Sequence, residues 1–83
     1  MKVQIKYFAS IREAVGSGAE TLETTATTVL GLRDELIARG AGYAESLARG
    51  KAVRVALNQT LSDESAALVE GTEVAFFPPV TGG

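Results

Sequence analysis

Only one stretch of this chain repeats its apolar residues with clear helical spacing, and that narrows the folds open to it. Val29, Leu32, Leu36 and Ile37 stand at i, i+3, i+7 and i+8, forming a single stripe. The pattern predicts a helix over residues 29–39. Thr27 or Thr28 supplies the N-cap, Arg39 sits in the last turn where a cation suits the helix dipole, and Gly40 closes it. Gly31 inside this segment costs about 1 kcal/mol relative to Ala, so the stripe rather than propensity carries the assignment.

Around the helix the sequence reads at period two. Residues 2–8 (KVQIKYF) place Val3, Ile5 and Tyr7 on one face and Lys2, Gln4, Lys6 and Phe8 on the other, as in a half-buried strand. Residues 20–25 (ETLETT) read as a second strand from their threonines and Leu22. Residues 52–57 (AVRVAL) are a third, with Val53, Val55 and Leu57 inward and Arg54 outward; residues 73–77 (EVAFF) are the fourth. Ser10 caps a short helical turn over residues 11–15, Gly16 stops it, and residues 16–18 turn. Residues 43–49 add a helical turn before Gly50, and Asn58-Gln59 is a turn. Residues 62–68 read as a short helix or loop with Ser62 as cap, and Gly71-Thr72 leads into the last strand. Four short strands and one main helix bury their apolar faces only if the helix lies across one side of the sheet. The expected class is therefore α+β, with one main helix packed on a mixed sheet. At 83 residues there is room for one such domain.

The chain contains no cysteine and no histidine. Disulfides, thiolate nucleophiles, thiolate metal sites and histidine-assisted nucleophiles are thereby excluded. No carboxylate cluster has metal-loop spacing, and Gly50-Lys51-Ala52 does not make a phosphate loop. Neither a metal nor a directly bound cofactor is expected, so any chemistry must come from the backbone, a terminus or a partner. The five serines (Ser10, Ser17, Ser46, Ser62 and Ser65) read as caps and solvated hydroxyls, and Asp63, Glu64, Glu70 and Glu73 as solvated loop charges. Lys2, Lys6 and Arg54 beside Phe8 and Phe77 are the makings of an RNA-binding face, but a net charge of −2 and 6% aromatic residues argue against nucleic acid. No apolar stretch approaches the roughly 20 residues that cross a bilayer, and Met1-Lys2 opens directly into the first strand. A cytoplasmic protein without membrane contact is the expectation.

The end of the sequence, Pro78-Pro79-Val80-Thr81-Gly82-Gly83, says most about function. The prolines lack N–H donors and fix φ, so the ladder stops and an extended segment leads away. Four residues past Pro79 reach about 13 Å at roughly 3.3 Å each. Terminal glycines then form a thread without side chains, suited to a channel that rejects any Cβ. Glycine at a loose chain end is the plain alternative. At ordinary glycine usage a terminal Gly-Gly arises by accident about once in 200 chains, and its place after Pro-Pro and an apolar strand favours a working tail. The chain divides into a domain over residues 1–78 and an extended, flexible tail over residues 79–83.

The run EVAFFPPVTGG, from Glu73 to Gly83, resembles the C-terminal signature of the small subunit of molybdopterin synthase. VALNQTL, from Val55 to Leu61, resembles that family's central strand and turn. VQIKYFASIRE, from Val3 to Glu13, resembles its first strand and helical turn. Residues 17–50 match only in pattern and length. The resemblance implies a ubiquitin-like β-grasp fold and a non-catalytic sulfur carrier of molybdenum cofactor biosynthesis. It implies that a ubiquitin-activating-like enzyme spends ATP to adenylate the Gly83 carboxylate, and that a sulfur donor makes the thiocarboxylate. The tail, with Gly82 and Gly83 at its tip, then enters the large catalytic subunit of a heterotetramer and delivers sulfur to a pyranopterin precursor. Matching positions imply partner contacts at Phe8, Leu61, Phe77, Pro78, Pro79, Val80 and Thr81, and a pairing of Arg12 with a carboxylate of the activating enzyme. Strand parity independently puts Phe8 with Lys2 and Lys6, and Phe77 with Ala75 and Glu73, on the side away from the helix; the alternative is that both rings tuck into the core. Two other readings share the fold. One is the thiamin-pathway sulfur carrier, which lacks the FFPPVTGG approach; the other is a ubiquitin-like modifier of lysines.

Overall fold

Alternation in the first residues becomes strand β1 (Lys2–Tyr7), with Val3, Ile5 and Tyr7 buried. The structure, a computed structural model, describes residues 1–79; the predicted tail residues 80–83 lie outside the described residues. After β1 come α1 (Ala9–Val15), β2 (Ala19–Glu23), α2 (Val29–Ile37), α3 (Ala41–Leu47), β3 (Arg54–Leu57), β4 (Thr60–Ser62) and β5 (Glu73–Phe77). The strands form one sheet in the order β2-β1-β5-β3-β4. β1 and β5 run parallel and every other pair is antiparallel, so the sheet is mixed as expected. One face carries the core: Val3, Ile5, Val55, Val74 and Phe76 from the sheet pack with Val29, Leu32 and Leu36 of α2, and Ile11 and Leu47 close its end.

Strand β4 corrects the four-strand expectation. Asn58 and Gln59 both take positive φ, 49° and 69°, the signature of a two-residue hairpin turn. The turn folds Thr60–Ser62 back onto β3, pairing Leu57 with Thr60 and Ala56 with Leu61. Ser62 therefore ends a strand and caps no helix. Beyond it the chain runs as a loop, in which Asp63 accepts from the Ser65 N–H at 2.9 Å. This loop satisfies the exposed donors of α2: Leu30 N–H bonds to the Glu64 carbonyl at 2.9 Å and Val29 N–H to that of Ala66 at 3.1 Å. Thr28 completes the cap by accepting from Gly31 N–H at 3.2 Å.

The other boundaries move by one or two residues. α1 begins at Ala9 with no side-chain cap, so Ser10 lies inside the helix; Gly16, at φ 85°, ends it as expected. α2 stops at Ile37, because Arg39 and Gly40 bond back to Leu36 and Ile37 at 3.0 Å each in a tightened turn. Gly40 then leads into α3, which starts two residues early and packs tightly on α1. A Cβ on Gly42 would lie 1.7 Å from the Ala14 carbonyl oxygen, so that crossing admits only glycine. β2 spans Ala19–Glu23 where residues 20–25 were expected. Thr24 is buried instead, its hydroxyl bonded to the Glu35 carboxylate. Val53 and Leu57 are half-buried against the core rather than fully inside.

Candidate protein-docking face

Strand register lines up Ala19, Lys6, Ala75, Ala56 and Leu61 in one row across all five strands, on the face opposite the helices. Arg54 pairs with Phe77 on the same face. One step beyond the β1–β5 ladder, Phe8 N–H still donates to the Phe76 carbonyl at 3.1 Å, which sets Phe8 beside Phe77. Phe8 is 46% exposed and Leu61 63%, while Phe77 is half-buried; none of the three belongs to the core cluster. Lys6 and Glu73 form an ion pair at 3.1 Å, and with exposed Arg54 they give this apolar strip a charged border. A small apolar patch with a polar rim is the makeup of a protein-binding surface. Val69 is also 62% exposed, but it sits at the far end of the sheet, in the turn whose Gly71 N–H bonds to the Lys2 carbonyl.

The tail leaves from the same end. β5 stops at Phe77, and Pro78 and Pro79 come next, half-buried and outside any strand. Pro78 lines a pocket of about 180 Å³ enclosed by α1, α3 and the loop before β3, with Lys51 and Val53 on its wall. Val80, Thr81, Gly82 and Gly83 lie outside the described residues. Arg12, exposed on α1, sits one turn past Phe8, its N–H bonded to the Phe8 carbonyl at 3.3 Å. Its guanidinium lies over Gly18, and among the described residues it forms no ion pair.

Two polar constellations were not anticipated from the sequence. Arg33 is 2% exposed. Its Nε donates to the Leu47 carbonyl at 2.7 Å, and Nη2 to those of Ala48 at 2.7 Å and Lys51 at 3.0 Å. Nη1 meets Glu64 at 3.2 Å. The guanidinium thus satisfies the last carbonyls of α3 and clamps the loop that walls the Pro78 pocket. A signal was present: Arg33 is i+4 from Val29 and i−3 from Leu36, so it falls on the apolar stripe, where a charge marks a buried polar contact. The second constellation centres on Glu20, which accepts from Tyr7 Oη at 2.9 Å, Tyr43 Oη at 2.8 Å and Arg39 Nη1 at 2.8 Å. Arg39 also lies 4.9 Å above the Tyr43 ring. Burial alone pushes the Glu20 carboxyl up, but the hydrogen bonds from Arg39, Tyr43 and Tyr7 and the Arg39 charge outweigh it and hold it below the usual range. Burial, then the bond to Glu20, pushes the Tyr7 phenol far above its ordinary value, so it stays a donor.

Among the described residues no buried side-chain polar atom lacks a partner, and no group of three acidic, His or Cys side chains is placed to hold a metal. The described residues that stand out are an exposed apolar strip on the open side of the sheet and, at the same end, the half-buried Pro78 and Pro79.

The family model described as the ThiS family matches residues 5–83. The molybdopterin synthase sulfur carrier subunit of Haemophilus influenzae is 42% identical over 81 residues, covering 98% of this chain and 99% of its own. Among solved structures, SAMP1 from Haloferax volcanii superposes with a TM-score of 0.77 at 26% identity, over 100% of both chains. A chain of the complex of subunits 1 and 2 of molybdopterin-converting factor from Helicobacter pylori gives 0.70 at 27% identity, again over 100% of both. The architecture is the ubiquitin-like β-grasp that the resemblance implied.

Proposed function

The chain belongs to the ThiS family, and from that premise we propose that it is the sulfur-carrier subunit of a molybdopterin synthase, working in molybdenum cofactor biosynthesis. The observation that carries this reading is the 42% identity to a sulfur carrier subunit along 98% of the chain. The reactive group is the Gly83 carboxylate. A carboxylate is a poor electrophile, so an adenylating enzyme of ubiquitin-activating type transfers AMP from ATP to it and releases pyrophosphate. A sulfur donor then displaces AMP, leaving a thiocarboxylate. That group is nucleophilic near neutral pH without a neighbouring base, which suits a chain lacking histidine.

Phe8, Leu61 and Phe77 dock on the large catalytic subunit, and Pro78-Pro79 aim Val80, Thr81, Gly82 and Gly83 into its active site. The structure of subunits 1 and 2 together in Helicobacter pylori supports such a partner. The proposed assembly is a heterotetramer. Arg12 pairs with a carboxylate of the activating enzyme. The chain itself catalyses nothing and binds no cofactor directly; it works in the cytoplasm.

Intact mass after incubation with ATP, the activating enzyme and a sulfur donor tests the reading. One oxygen exchanged for sulfur, confined to the C-terminal peptide, is the expected result. Deleting Gly83 abolishes the exchange and leaves the fold intact. Sulfur gained elsewhere, or full synthase activity from a chain lengthened beyond Gly83 and left untrimmed, would exclude it. Likeness to SAMP1 favours a second reading, a lysine-linked modifier; its mark is isopeptide conjugates ending in Gly83 in cells that express the chain.

A further inference from the structure

Ala9, the first residue of α1, has φ 51°, in the left-handed region where an L side chain crowds its own backbone. Ala41, Asn58 and Gln59 share the sign, but Asn58 and Gln59 make the hairpin turn and Ala41 leads on from Gly40 into α3. Ala9 has a different burden. The residue before it, Phe8, is held by both backbone groups: its N–H donates to the Phe76 carbonyl at 3.1 Å, and its carbonyl accepts from Ile11 N–H at 3.2 Å and Arg12 N–H at 3.3 Å. Phe8 is thus the joint between the central ladder and α1. The left-handed step at Ala9 lets the chain leave the strand for the helix while all three bonds are kept. The ring stays on the open side beside Phe77, 46% exposed.

We infer that Ala9 is a positioning residue for partner docking: its left-handed backbone presents Phe8 in the geometry the large subunit meets. The inference rests on the docking role proposed above for Phe8. Strained backbone persists where the surroundings over-determine it, and here it spares the partner the cost of ordering an aromatic anchor. Glycine relieves the strain but frees the joint; D-alanine, which favours positive φ, relieves it and keeps the joint fixed.

The test measures affinity for the purified large molybdopterin synthase subunit, with thermal unfolding of each free chain. Ala9→Gly is expected to bind about three- to tenfold more weakly, the range set by freeing one interface side chain. Its unfolding midpoint is unchanged or higher. A semisynthetic chain with D-alanine at position 9 keeps the native affinity. In a Phe8→Ala background, Ala9→Gly costs nothing further. Native affinity in Ala9→Gly, equal losses for glycine and D-alanine, or an undiminished loss in the Phe8→Ala background would each overturn the inference and leave the docking role standing. Native affinity in Phe8→Ala alone would overturn both.

Discussion

Replacing Arg33 with methionine keeps much of the side-chain volume and removes every donor. Three carbonyls, those of Leu47, Ala48 and Lys51, lose their bonds, and Glu64 loses its cation. A buried acceptor left unpaired costs about 1–3 kcal/mol. Ala48 is half-buried and Lys51 exposed, so water recovers part of that loss for their carbonyls. The Glu64 side chain is 45% exposed, and its pair with Arg33 adds only about 0–1 kcal/mol. Methionine also escapes the desolvation that a buried guanidinium suffers. The net loss is about 2–4 kcal/mol, out of roughly 4–12 kcal/mol for a domain of 83 residues. At about 4–8 °C per kcal/mol for a domain this small, the midpoint falls by roughly 8–32 °C. Thermal and urea unfolding followed by far-UV circular dichroism read it directly, and amide exchange should quicken around residues 48–52. Glu64→Gln serves as the control and should cost under about 1 kcal/mol. A loss under about 1 kcal/mol for Arg33→Met, or equal losses for the two variants, would refute the carbonyl clamp.

Glu20 should make stability depend on pH in one direction. Its carboxyl is held below the ordinary range when folded, so its contribution is complete above the unfolded value of about 4.3 and is lost as pH falls through the folded one. The stability gap between the native chain and Glu20→Gln therefore narrows in acid, and a gap that widens below about pH 4 contradicts the assignment. Gly42→Ala drives a methyl into the Ala14 carbonyl and should cost about 3 kcal/mol or more in urea unfolding. Arg12→Glu should slow adenylation by the activating enzyme at nearly unchanged thermal stability, because the exposed side chain forms no ion pair among the described residues; unchanged adenylation kinetics remove Arg12 from the docking face.

Period-two alternation made β1 legible, and the stripe of Val29, Leu32 and Leu36 made α2 legible, because burial on one face writes directly into residue spacing; β5 was read as a short apolar run after a turn, and its three middle residues are all buried. β4 was not legible: it has three residues, a single apolar one, and is created by the hairpin it closes. The end of α2 was misread because helix-dipole reasoning assigned Arg39 locally, while the side chain reaches Glu20 on a strand 19 residues away in sequence. Phe8 and Leu61 stand open on the sheet, positions set by parity and register; Arg12 gains no described partner to explain it. The role proposed for the last four residues rests on composition and kinship, because they lie outside the described residues.

β5 is the middle strand of the sheet, bonded to β1 on one side and β3 on the other. A pull on the chain beyond Phe77 is therefore resisted in shear, by two rows of hydrogen bonds at once, whereas an edge strand would peel away bond by bond. Force applied beyond Phe77 is thereby spread over the whole domain, which moves as one body before any strand of it comes loose.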